Sequence, residues 1–383
     1  MRWVIRGLTP RRARPPRLRV GTVKESGRSS IAILLAALFL LPAPALPAGA
    51  ASTRSHLRRY VRYPGVPTFA DSTSTDDATY DDPKVRAAAV AALGRYNGAV
   101  AAVDPNTGRI LTVVNQKLAF GDGYIPCSTI KPTIALAALE ENVITPDTML
   151  KVGRRKYMNL TEAMARSNNE FFEQLGTRLG FDTVSRYGRL LGFGELAGYN
   201  LSDEHPGSFP TAPPHGGVAR MSSYGEGIQA TPLQLAAVAA AFANGGTLYY
   251  LQYPHSKEEI ESFTPKVKRE LNIGPILPEI REGMLAAVLY GTGKSSYDRG
   301  GDELPIGKTG TCDDHTTPSK IGWFITYADE THPKIALAVL LRGNTRRVKG
   351  PTAAQVAGIL YRRLREQNYF AANRSSVTIN AGN

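Results

Sequence analysis

One serine and one lysine are spaced so that they could act together in acyl transfer. Ser128 and Lys131 lie three residues apart where a loop enters a predicted helix, and residues at this spacing share one helical face. A lysine amine buried beside other cations can be neutral near pH 7, so Lys131 could serve as general base for a nucleophilic Ser128. The N–H groups at the helix start would favour a developing oxyanion. Alone, S-x-x-K is a weak signal, because Ser128 also fits a plain helix cap.

Two further fragments supply polar groups that suit the same chemistry. Ser167–Asn169 interrupts a predicted helix and offers a hydroxyl and an amide on a short turn. Lys308–Thr311 ends a predicted strand and offers a cation, two hydroxyls and a glycine that would let a ligand approach the backbone. Each fragment by itself is typical of a capping turn or a strand end. Their order along the chain, S-x-x-K, then S-x-N, then K-T-G, is highly specific.

Other chemistries lack their motifs. The six histidines never fall at helical i, i+4 spacing and there are only two cysteines, so we predict no metal site and expect no cofactor. No G-x-S-x-G elbow is present, which excludes the usual α/β-hydrolase triad. Gly291–Lys294 is similar to part of a phosphate loop, but Val288 stands where that loop needs glycine.

Predicted strands at both ends of the body enclose a run of predicted helices. Gly98–Val103 and Arg109–Val114, joined by a turn, favour an antiparallel hairpin. Three later strands are predicted over Pro305–Thr311, Ile321–Tyr327 and Ile335–Leu341. Helices are predicted over Thr129–Asn142, Leu160–Leu179 with a break at the S-x-N turn, Asp182–Leu191, Pro232–Ala243, Glu279–Leu289 and Ala353–Gln367. This order predicts an α/β fold in which one mostly antiparallel, five-stranded sheet is flanked by helices.

Most of the positive charge lies at the start of the chain. The 383 residues have a formal net charge of +13, of which residues 1–28 carry +8, with nine Lys and Arg against one Glu. The rest of the chain carries only +5, so we expect no nucleic-acid partner. Apolar residues make up 42% of the chain, which excludes a wholly disordered protein.

A short apolar run follows the basic segment. Ile31–Leu41 contains only apolar residues, and small residues and prolines lead from it to Ala50. This pattern predicts a secretory signal cleaved near Ala50. A retained anchor is the alternative, because Ile31–Ala51 is uncharged and close to the ~20 residues that a bilayer requires. Either way we expect the body to be extracytoplasmic, in the periplasm or cell envelope, secreted or anchored by this segment.

Four regions are predicted along the chain. Residues 1–51 form the basic leader, with its signal peptide or membrane anchor. Residues 52–90 are rich in Ser, Thr, Asp, Pro and Tyr without a sustained period, which predicts a flexible tether. An alanine-rich helix is expected to begin near residue 84. Residues 91–370 form the folded domain, and residues 371–383 a C-terminal tail.

The ordered motifs resemble those of the penicillin-binding transpeptidase family, within the S-x-x-K serine acyl-transferases. The resemblance covers about Tyr96–Leu364 and includes Cys127–Pro132 in place of the usual GSTxKP. Further segments that resemble the family are Ile144–Asp147, Gly225–Ala236, Gly291–Gly293 and Gly322–Phe324. The resemblance implies a β-lactamase/transpeptidase-like fold with an all-helical subdomain inserted beside the sheet, and a transpeptidase domain over residues 91–370.

The resemblance also implies a role for each residue of the three motifs. Ser128 would be the acylated nucleophile, Lys131 its base, Ser167 the proton relay to the leaving amine and Asn169 the group that holds the acyl-side amide. Lys308 with Thr309, Gly310 and Thr311 would form the wall that binds the terminal carboxylate. The N–H groups of Ser128 and Thr311 would form the oxyanion hole.

The implied reaction is acyl transfer on peptidoglycan stem peptides that end in D-Ala-D-Ala. β-Lactams would acylate the same serine and leave it slowly. Other cell-wall synthesis proteins are further candidate partners. Residues 52–90 are too few for the N-terminal pedestal that such enzymes usually carry, and no glycosyltransferase domain fits. Crosslinking, trimming by D,D-carboxypeptidase action and service to another protein therefore all stay open.

Two rival functions use the same fold. The first is a β-lactamase or β-lactam sensor; hydrolysis needs a base that activates the deacylating water, and Glu195 and Glu204 lie in the right general stretch. However, Asn168 and Asn169 differ from the S-D-N and S-x-V patterns of two β-lactamase classes. A non-catalytic protein that binds or scaffolds the cell wall is the second rival, and the intact Ser128, Lys131 and Lys308 argue against it.

The two cysteines flank the predicted site. Cys127 precedes Ser128 and Cys312 follows Thr311. The resemblance would place these neighbours on opposite walls of one cleft, within reach of a disulfide. Export favours pairing, and two small buried thiols are the alternative.

Overall fold

The computed structural model describes residues 65–299, 301, 303–315, 317–328 and 332–370. The predicted leader, with its signal or anchor, residues 52–64 of the tether and the tail at 371–383 lie outside these described residues. Within the described part of the chain, no helix combines the length and the hydrophobicity that a bilayer crossing requires.

The described residues form nine strands, ten α-helices and two 3₁₀ turns. The strands are β1 (Gly98–Val103), β2 (Ile110–Val114), β3 (Leu150–Lys151), β4 (Tyr157–Met158), β5 (Thr247–Tyr249), β6 (Val267–Glu270), β7 (Ile306–Asp314), β8 (Ser319–Ala328) and β9 (Ile335–Gly343). The helices are α1 (Pro83–Leu93), α2 (Gln116–Phe120), α3 (Lys131–Glu140), α4 (Leu160–Ala165), α5 (Asn169–Leu190), α6 (Gly217–Tyr224), α7 (Pro232–Ala243), α8 (Lys257–Glu261), α9 (Leu277–Leu289) and α10 (Gly350–Glu366). The 3₁₀ turns are Cys127–Ile130 and Lys294–Ser296.

One antiparallel sheet carries the fold, with strands in the order β2-β1-β9-β8-β7. Side chains alternate between its two faces, and both faces are covered. Val100 and Ala102 of β1 pack in one apolar cluster with residues of α1 and α10. Ala99 and Ala101 pack in a second cluster with residues of α3 and α7. β1 is buried on both faces, which explains why its sequence is a continuous apolar run.

The predicted fold class is confirmed. A five-stranded antiparallel sheet flanked by helices is observed, and the hairpin of β1 and β2 pairs as expected. The segment between β2 and β7 is mainly helical and also contains two small sheets, β3 with β4 and β5 with β6, which the expected all-helical subdomain did not include. These strands have two to four residues, too few for an alternating pattern to identify them. The two helices expected on either side of Gly180 are observed within the range of α5: the backbone of Gly180 is not helical, with φ of +75°, and a kink there separates them.

The described part of the expected tether, residues 65–90, is folded onto the body. Thr68 accepts a backbone hydrogen bond from Asn97, and the Ser72 hydroxyl donates to the carbonyl of Tyr96. The Asp76 side chain is 1% exposed and pairs with Arg86 of α1 at 2.8 Å. It also accepts from two backbone N–H groups at the start of α2, at 2.8 and 2.9 Å. This corrects the tether prediction for these residues, because polar composition can mark a segment held by hydrogen bonds as well as a free one.

Replacing Asp76 with alanine should destabilise the fold by about 3 kcal/mol, because it removes the closer of the two carboxylates that pair with Arg86 and leaves two backbone N–H groups without their partner. Asp71→Ala is the matched control, since Asp71 is exposed and bonds only within its own turn, to Thr73. Urea unfolding of both variants measures the difference. Equal unfolding midpoints for the two variants would show that Asp76 does not anchor this segment.

Candidate active site

Ser128 lies in the 3₁₀ turn Cys127–Ile130, directly before α3. The loop before this turn is held by Trp323 of β8, whose indole N–H donates to the carbonyl of Ile125 at 2.9 Å. The Thr129 hydroxyl closes the turn by donating to the carbonyl of Pro126 at 2.6 Å. Ser128 is therefore presented by a short, tightly bonded turn rather than by a free loop.

The turn opens onto a cleft of about 800 Å³. The walls of this cleft include Ser128, Ser167, Asn169, Thr309 and Thr311. The two motif lysines, Lys131 and Lys308, are both fully buried. The structure thus brings the three predicted motifs to one place.

Lys131 joins the first motif to the second. Its Nζ donates to the Ser167 carbonyl at 2.7 Å, to the Ser167 hydroxyl at 3.2 Å and to Oδ1 of Asn169 at 2.8 Å. It also lies 5.3 Å from the centre of the Phe172 ring. Among the described residues, no hydrogen bond joins Lys131 to Ser128 itself, so the expected direct contact is replaced by contacts to the S-x-N turn.

Ser167 joins the second motif to the third. Its hydroxyl accepts from Nζ of Lys308 at 2.9 Å, in addition to its contact with Lys131. The turn is shaped by a left-handed backbone at Ser167, with φ of +55°, and by Asn168, whose side chain caps α5 by accepting from the N–H of Phe171 at 2.8 Å. One hydroxyl therefore lies between two lysine amines.

Burial lowers the pKa of both lysines. For Lys308 it lowers the pKa to about 7. For Lys131 burial is the main cause, the positive charge of Lys308 adds to it, and the carboxylate of Glu173 opposes it, so that the pKa lies well below its ordinary value. The lowered pKa favours the neutral Lys131 amine, which is the state that a general base requires.

The third motif lies on β7, the edge strand of the sheet nearest the cleft. The Thr309 and Thr292 hydroxyl oxygens are 2.5 Å apart. The Thr311 hydroxyl accepts from the N–H of Gly350, at the first turn of α10, at 2.8 Å. Both hydroxyls are therefore oriented by neighbouring elements at the cleft wall.

Gly310 makes room for the protein itself. A Cβ at this position would lie 2.9 Å from the carbonyl oxygen of Pro126 and 3.1 Å from Cβ of Cys127. The glycine therefore allows the Ser128 turn to pack against β7. That the glycine also lets a ligand approach the backbone stays a prediction.

Cys127 and Cys312 form a disulfide, with Cα atoms 5.7 Å apart. The bond connects the Ser128 turn directly to β7, next to Thr311. The disulfide thus joins β7 and the Ser128 turn covalently, and these are the two segments that would supply the oxyanion N–H groups.

The chain matches a known family over most of the described residues. A family model described as penicillin binding protein transpeptidase domain matches residues 98–362. The chain belongs to this family. The resemblance inferred from the motifs is therefore confirmed.

Named relatives of this penicillin-binding transpeptidase domain share modest identity with it. Stage V sporulation protein D of Bacillus subtilis (strain 168) is 27% identical over 291 residues, which are 68% of this chain and 44% of the relative. The peptidoglycan D,D-transpeptidase PbpA of Mycobacterium tuberculosis (strain ATCC 25618 / H37Rv) is 26% identical over 330 residues, which are 70% of this chain and 66% of the relative. The chain spans about half the length of the curated relatives it matches.

A solved structure shows the same fold. The apo transpeptidase domain of Burkholderia pseudomallei penicillin-binding protein 3 superposes with a TM-score of 0.64 at 21% identity, covering 78% of this chain and 96% of that chain. At this identity the likeness concerns the fold alone.

Thr292 is a site residue of this transpeptidase domain that the sequence reasoning missed. Its hydroxyl contacts Thr309, and its N–H donates to the carbonyl of Ala165 at 3.1 Å, just before the Ser167 turn. Thr292 therefore links the second and third motifs. The sequence did mark this position, since the resemblance to the family includes Gly291–Gly293, but the spacing of that segment indicated no role for Thr292.

Neither glutamate that was considered for a deacylating water lines the cleft. Glu195 pairs with Lys268 and Arg269 at 2.9 and 2.7 Å. Glu204 is buried and accepts from two backbone N–H groups at 2.7 Å each. Both carboxylates are bonded to neighbouring groups of the fold outside the cleft. Neither is therefore placed to activate a deacylating water, which was the argument for a β-lactamase.

Lys131→Arg should slow acylation by penicillin at least ~100-fold, because arginine stays protonated and cannot act as a base. The wild-type rate should rise with pH as Lys131 loses its proton and level off well below the ordinary lysine pKa of 10.5. Labelling with fluorescent penicillin across a pH series measures both effects. Lys117→Arg, an exposed conservative change on α2, is the control. A wild-type rate in Lys131→Arg would refute this role for Lys131.

Reduction of the disulfide should lower both the melting temperature and the rate of acylation by penicillin, and Cys312→Ser should reproduce the effect. The bond spans 185 residues, so the chain-entropy model sets an upper bound near ~5 kcal/mol on its stabilisation. It also fixes the relative position of the cleft walls, where a small displacement is costly to the rate. Calorimetry and thiol titration test this expectation. Two free thiols after unfolding without reductant would contradict it.

Proposed function

We propose that this chain is a serine-type peptidoglycan D,D-transpeptidase that forms an acyl-enzyme at Ser128. The observation that carries the proposal is the single hydrogen-bond network of Lys131, Ser167, Asn169 and Lys308 beside the Ser128 turn. Family membership supports it, as do the names of relatives such as PbpA and MrdA, which are peptidoglycan D,D-transpeptidases.

In the proposed acylation, the Ser128 hydroxyl attacks the penultimate carbonyl of a stem peptide ending in D-Ala-D-Ala. The hydroxyl proton passes to neutral Lys131, and the tetrahedral oxyanion is held by the N–H groups of Ser128 and Thr311. The C–N bond then breaks, and D-alanine leaves after its amine receives the proton through the Ser167 hydroxyl. The burial of Lys131 and its bond to Ser167 support this route.

Substrate binding in this proposal uses the opposite wall of the cleft. Lys308, Thr309 and Thr311 would bind the terminal carboxylate, and Asn169 would hold the acyl-side amide. A carboxylate docked against Lys308 would favour its protonated form, because opposite charge raises a lysine pKa. The substrate would thereby favour the charged form of a lysine whose pKa burial lowers to about 7.

The acyl-enzyme then has two possible acceptors. Attack by an amine of a neighbouring stem peptide forms a crosslink and returns the proton to Ser128, whereas attack by water gives D,D-carboxypeptidase action. β-Lactams are proposed to acylate the same serine. Peptidoglycan stem peptides and β-lactams are thus the proposed partners, with other cell-wall synthesis proteins as a further prediction, and the proposed location is extracytoplasmic, in the periplasm or cell envelope.

The β-lactamase alternative differs from the transpeptidase in the lifetime of the adduct. Hydrolysis kinetics of a bound penicillin separate the candidates: a long-lived adduct supports the transpeptidase, rapid turnover supports the β-lactamase, and no adduct supports a non-catalytic scaffold.

Ser128→Ala should abolish covalent labelling by penicillin while leaving the fold intact. Removing the nucleophile removes the acyl-enzyme, and the loss of one hydroxyl at a cleft wall costs only about 1 kcal/mol. Mass spectrometry of the intact protein detects the adduct, and circular dichroism confirms folding. Thr129→Ser, which keeps the neighbouring hydroxyl bond to Pro126, is the control and should label normally. Undiminished adduct on Ser128→Ala would reject the assignment of the nucleophile.

A further inference from the structure

The Thr311 hydroxyl has a proton that it can donate into the cleft. Thr311 lines the cleft and is exposed. Its oxygen accepts the N–H of Gly350 at 2.8 Å, and among the described residues this is the only hydrogen bond of the hydroxyl. A hydroxyl has one proton and two lone pairs. Because the Gly350 N–H occupies one lone pair, the oxygen is held in place and the proton stays available to an acceptor in the cleft.

The helix α10 begins at this hydroxyl. The side chain of Lys349, the residue before the helix, makes no capping hydrogen bond, and Thr311 accepts the first N–H of the helix instead. The start of α10 also packs directly on β7, because a Cβ at Gly350 would lie 2.8 Å from the carbonyl oxygen of Gly310 and 2.8 Å from Cβ of Thr309. The place where α10 begins therefore sets the orientation of the Thr311 hydroxyl.

Residues 344–349 connect β9 to α10, and we call them the β9–α10 loop. The end of this loop packs on the sheet, since a Cβ at Gly322 of β8 would lie 2.6 Å from the carbonyl of Lys349. Within the loop, the N–H of Val348 donates to the carbonyl of Thr345 at 3.2 Å. The loop is thus a short turn bonded to itself, and its end leads straight into the helix start that holds Thr311.

Thr68 fastens the beginning of the β9–α10 loop. It is only 3% exposed, and its hydroxyl oxygen lies 3.0 Å from Oγ1 of Thr345 and 3.3 Å from Oδ1 of Asn344. The same oxygen accepts the N–H of Thr345 at 3.2 Å. A Cβ at Gly343 would lie 2.5 Å from Cα of Thr68, so the two backbones are in direct contact. The carbonyl of Thr68 accepts from the N–H of Asn97 at 2.9 Å, which ties this contact to the start of β1.

We infer that Thr68 is a positioning residue for the carboxylate of the substrate. It acts through the β9–α10 loop, which sets where α10 begins. The Gly350 N–H then holds the oxygen of Thr311, and the proton of Thr311 is left to donate to the carboxylate. The inference rests on the proposed function, because it requires that the cleft binds a carboxylate.

Acylation by two probes that differ in charge tests the inference. Benzylpenicillin has a carboxylate, whereas benzylpenicillin methyl ester has none. Thr68→Val removes the hydroxyl and keeps the shape of the side chain. It should lower the second-order rate constant of acylation by benzylpenicillin about 10-fold, the scale of one hydrogen bond to a charged group, and leave the constant for the ester unchanged.

Ser72→Ala is the matched control. Ser72 lies in the same segment as Thr68 and is 5% exposed, but its hydroxyl bonds to the backbone of Tyr96 and Gly98 rather than to the β9–α10 loop. Its replacement should lower the melting temperature about as much as Thr68→Val does and change neither rate constant. An equal loss of rate with both probes in Thr68→Val, or the same selective loss in Ser72→Ala, would overturn the inference.

A double-substitution cycle tests the route through Thr311. Thr311→Val should lower the rate with benzylpenicillin at least as much as Thr68→Val does, and adding Thr68→Val to it should have no further effect. Additive losses would overturn this route, since Thr68 would then act on another group.

Hydrogen exchange reports on the loop without acylation. The amides of residues 344–350 should exchange faster in Thr68→Val than in Ser72→Ala, and equal exchange in the two variants would overturn the inference. Absence of any penicillin adduct on the wild type would reject the proposed function and, with it, the substrate role of Thr68. An adduct that forms normally in the wild type but loses rate equally with both probes in Thr68→Val would reject the inference alone.

Discussion

The arrangement of the molecule depends on keeping two lysine side chains buried in one hydrogen-bond network. Lys131 and Lys308 are fully buried, and both donate to the hydroxyl of Ser167. A buried amine or ammonium group without hydrogen-bond partners is destabilising, so each lysine must find partners inside the protein. Lys308 has one acceptor on its own strand, the carbonyl of Thr309 at 2.9 Å, and the other acceptors of the two lysines come from Ser167 and Asn169 of the turn at the start of α5. Consequently α3, α5 and β7, which are far apart in the sequence, must meet at that turn.

Local signals were sufficient for much of the fold. The helix Pro232–Ala243 was predicted with its observed bounds, and the structure shows why: Thr231 and Gln234 form a capping box, and Asn244 and two glycines follow its end. Apolar runs bounded by turns likewise identified the five sheet strands. Local signals failed where an element depends on distant partners, as for the short strands β3 to β6 and for the segment held by Asp76, whose carboxylate bonds to residues up to 40 positions away.

The candidate site shows the same division between local and distant information. The three motifs were found from residue types and order, and the structure brings them together. What their spacing could not supply was the contact between them. Three of these contacts join residues that are distant in sequence. Gly310 accommodates the Ser128 turn, Thr292 bonds to Thr309, and Trp323 holds the loop before the turn. A motif specifies only which residues are close in sequence, whereas the function of each site residue here depends on the residues that contact it in the folded chain.

The position of the Ser167 hydroxyl also determines how protons could move through the site. A hydroxyl has one proton to donate and two lone pairs that accept. In the observed arrangement the two lone pairs face the amines of Lys131 and Lys308, at 3.2 and 2.9 Å, which leaves the proton free for a third group in the cleft. When Lys131 is neutral, its own lone pair can accept that proton instead. Ser167 can therefore both receive a proton from one side and release one to the other without moving a heavy atom, and this property requires both lysines to stay where burial holds them.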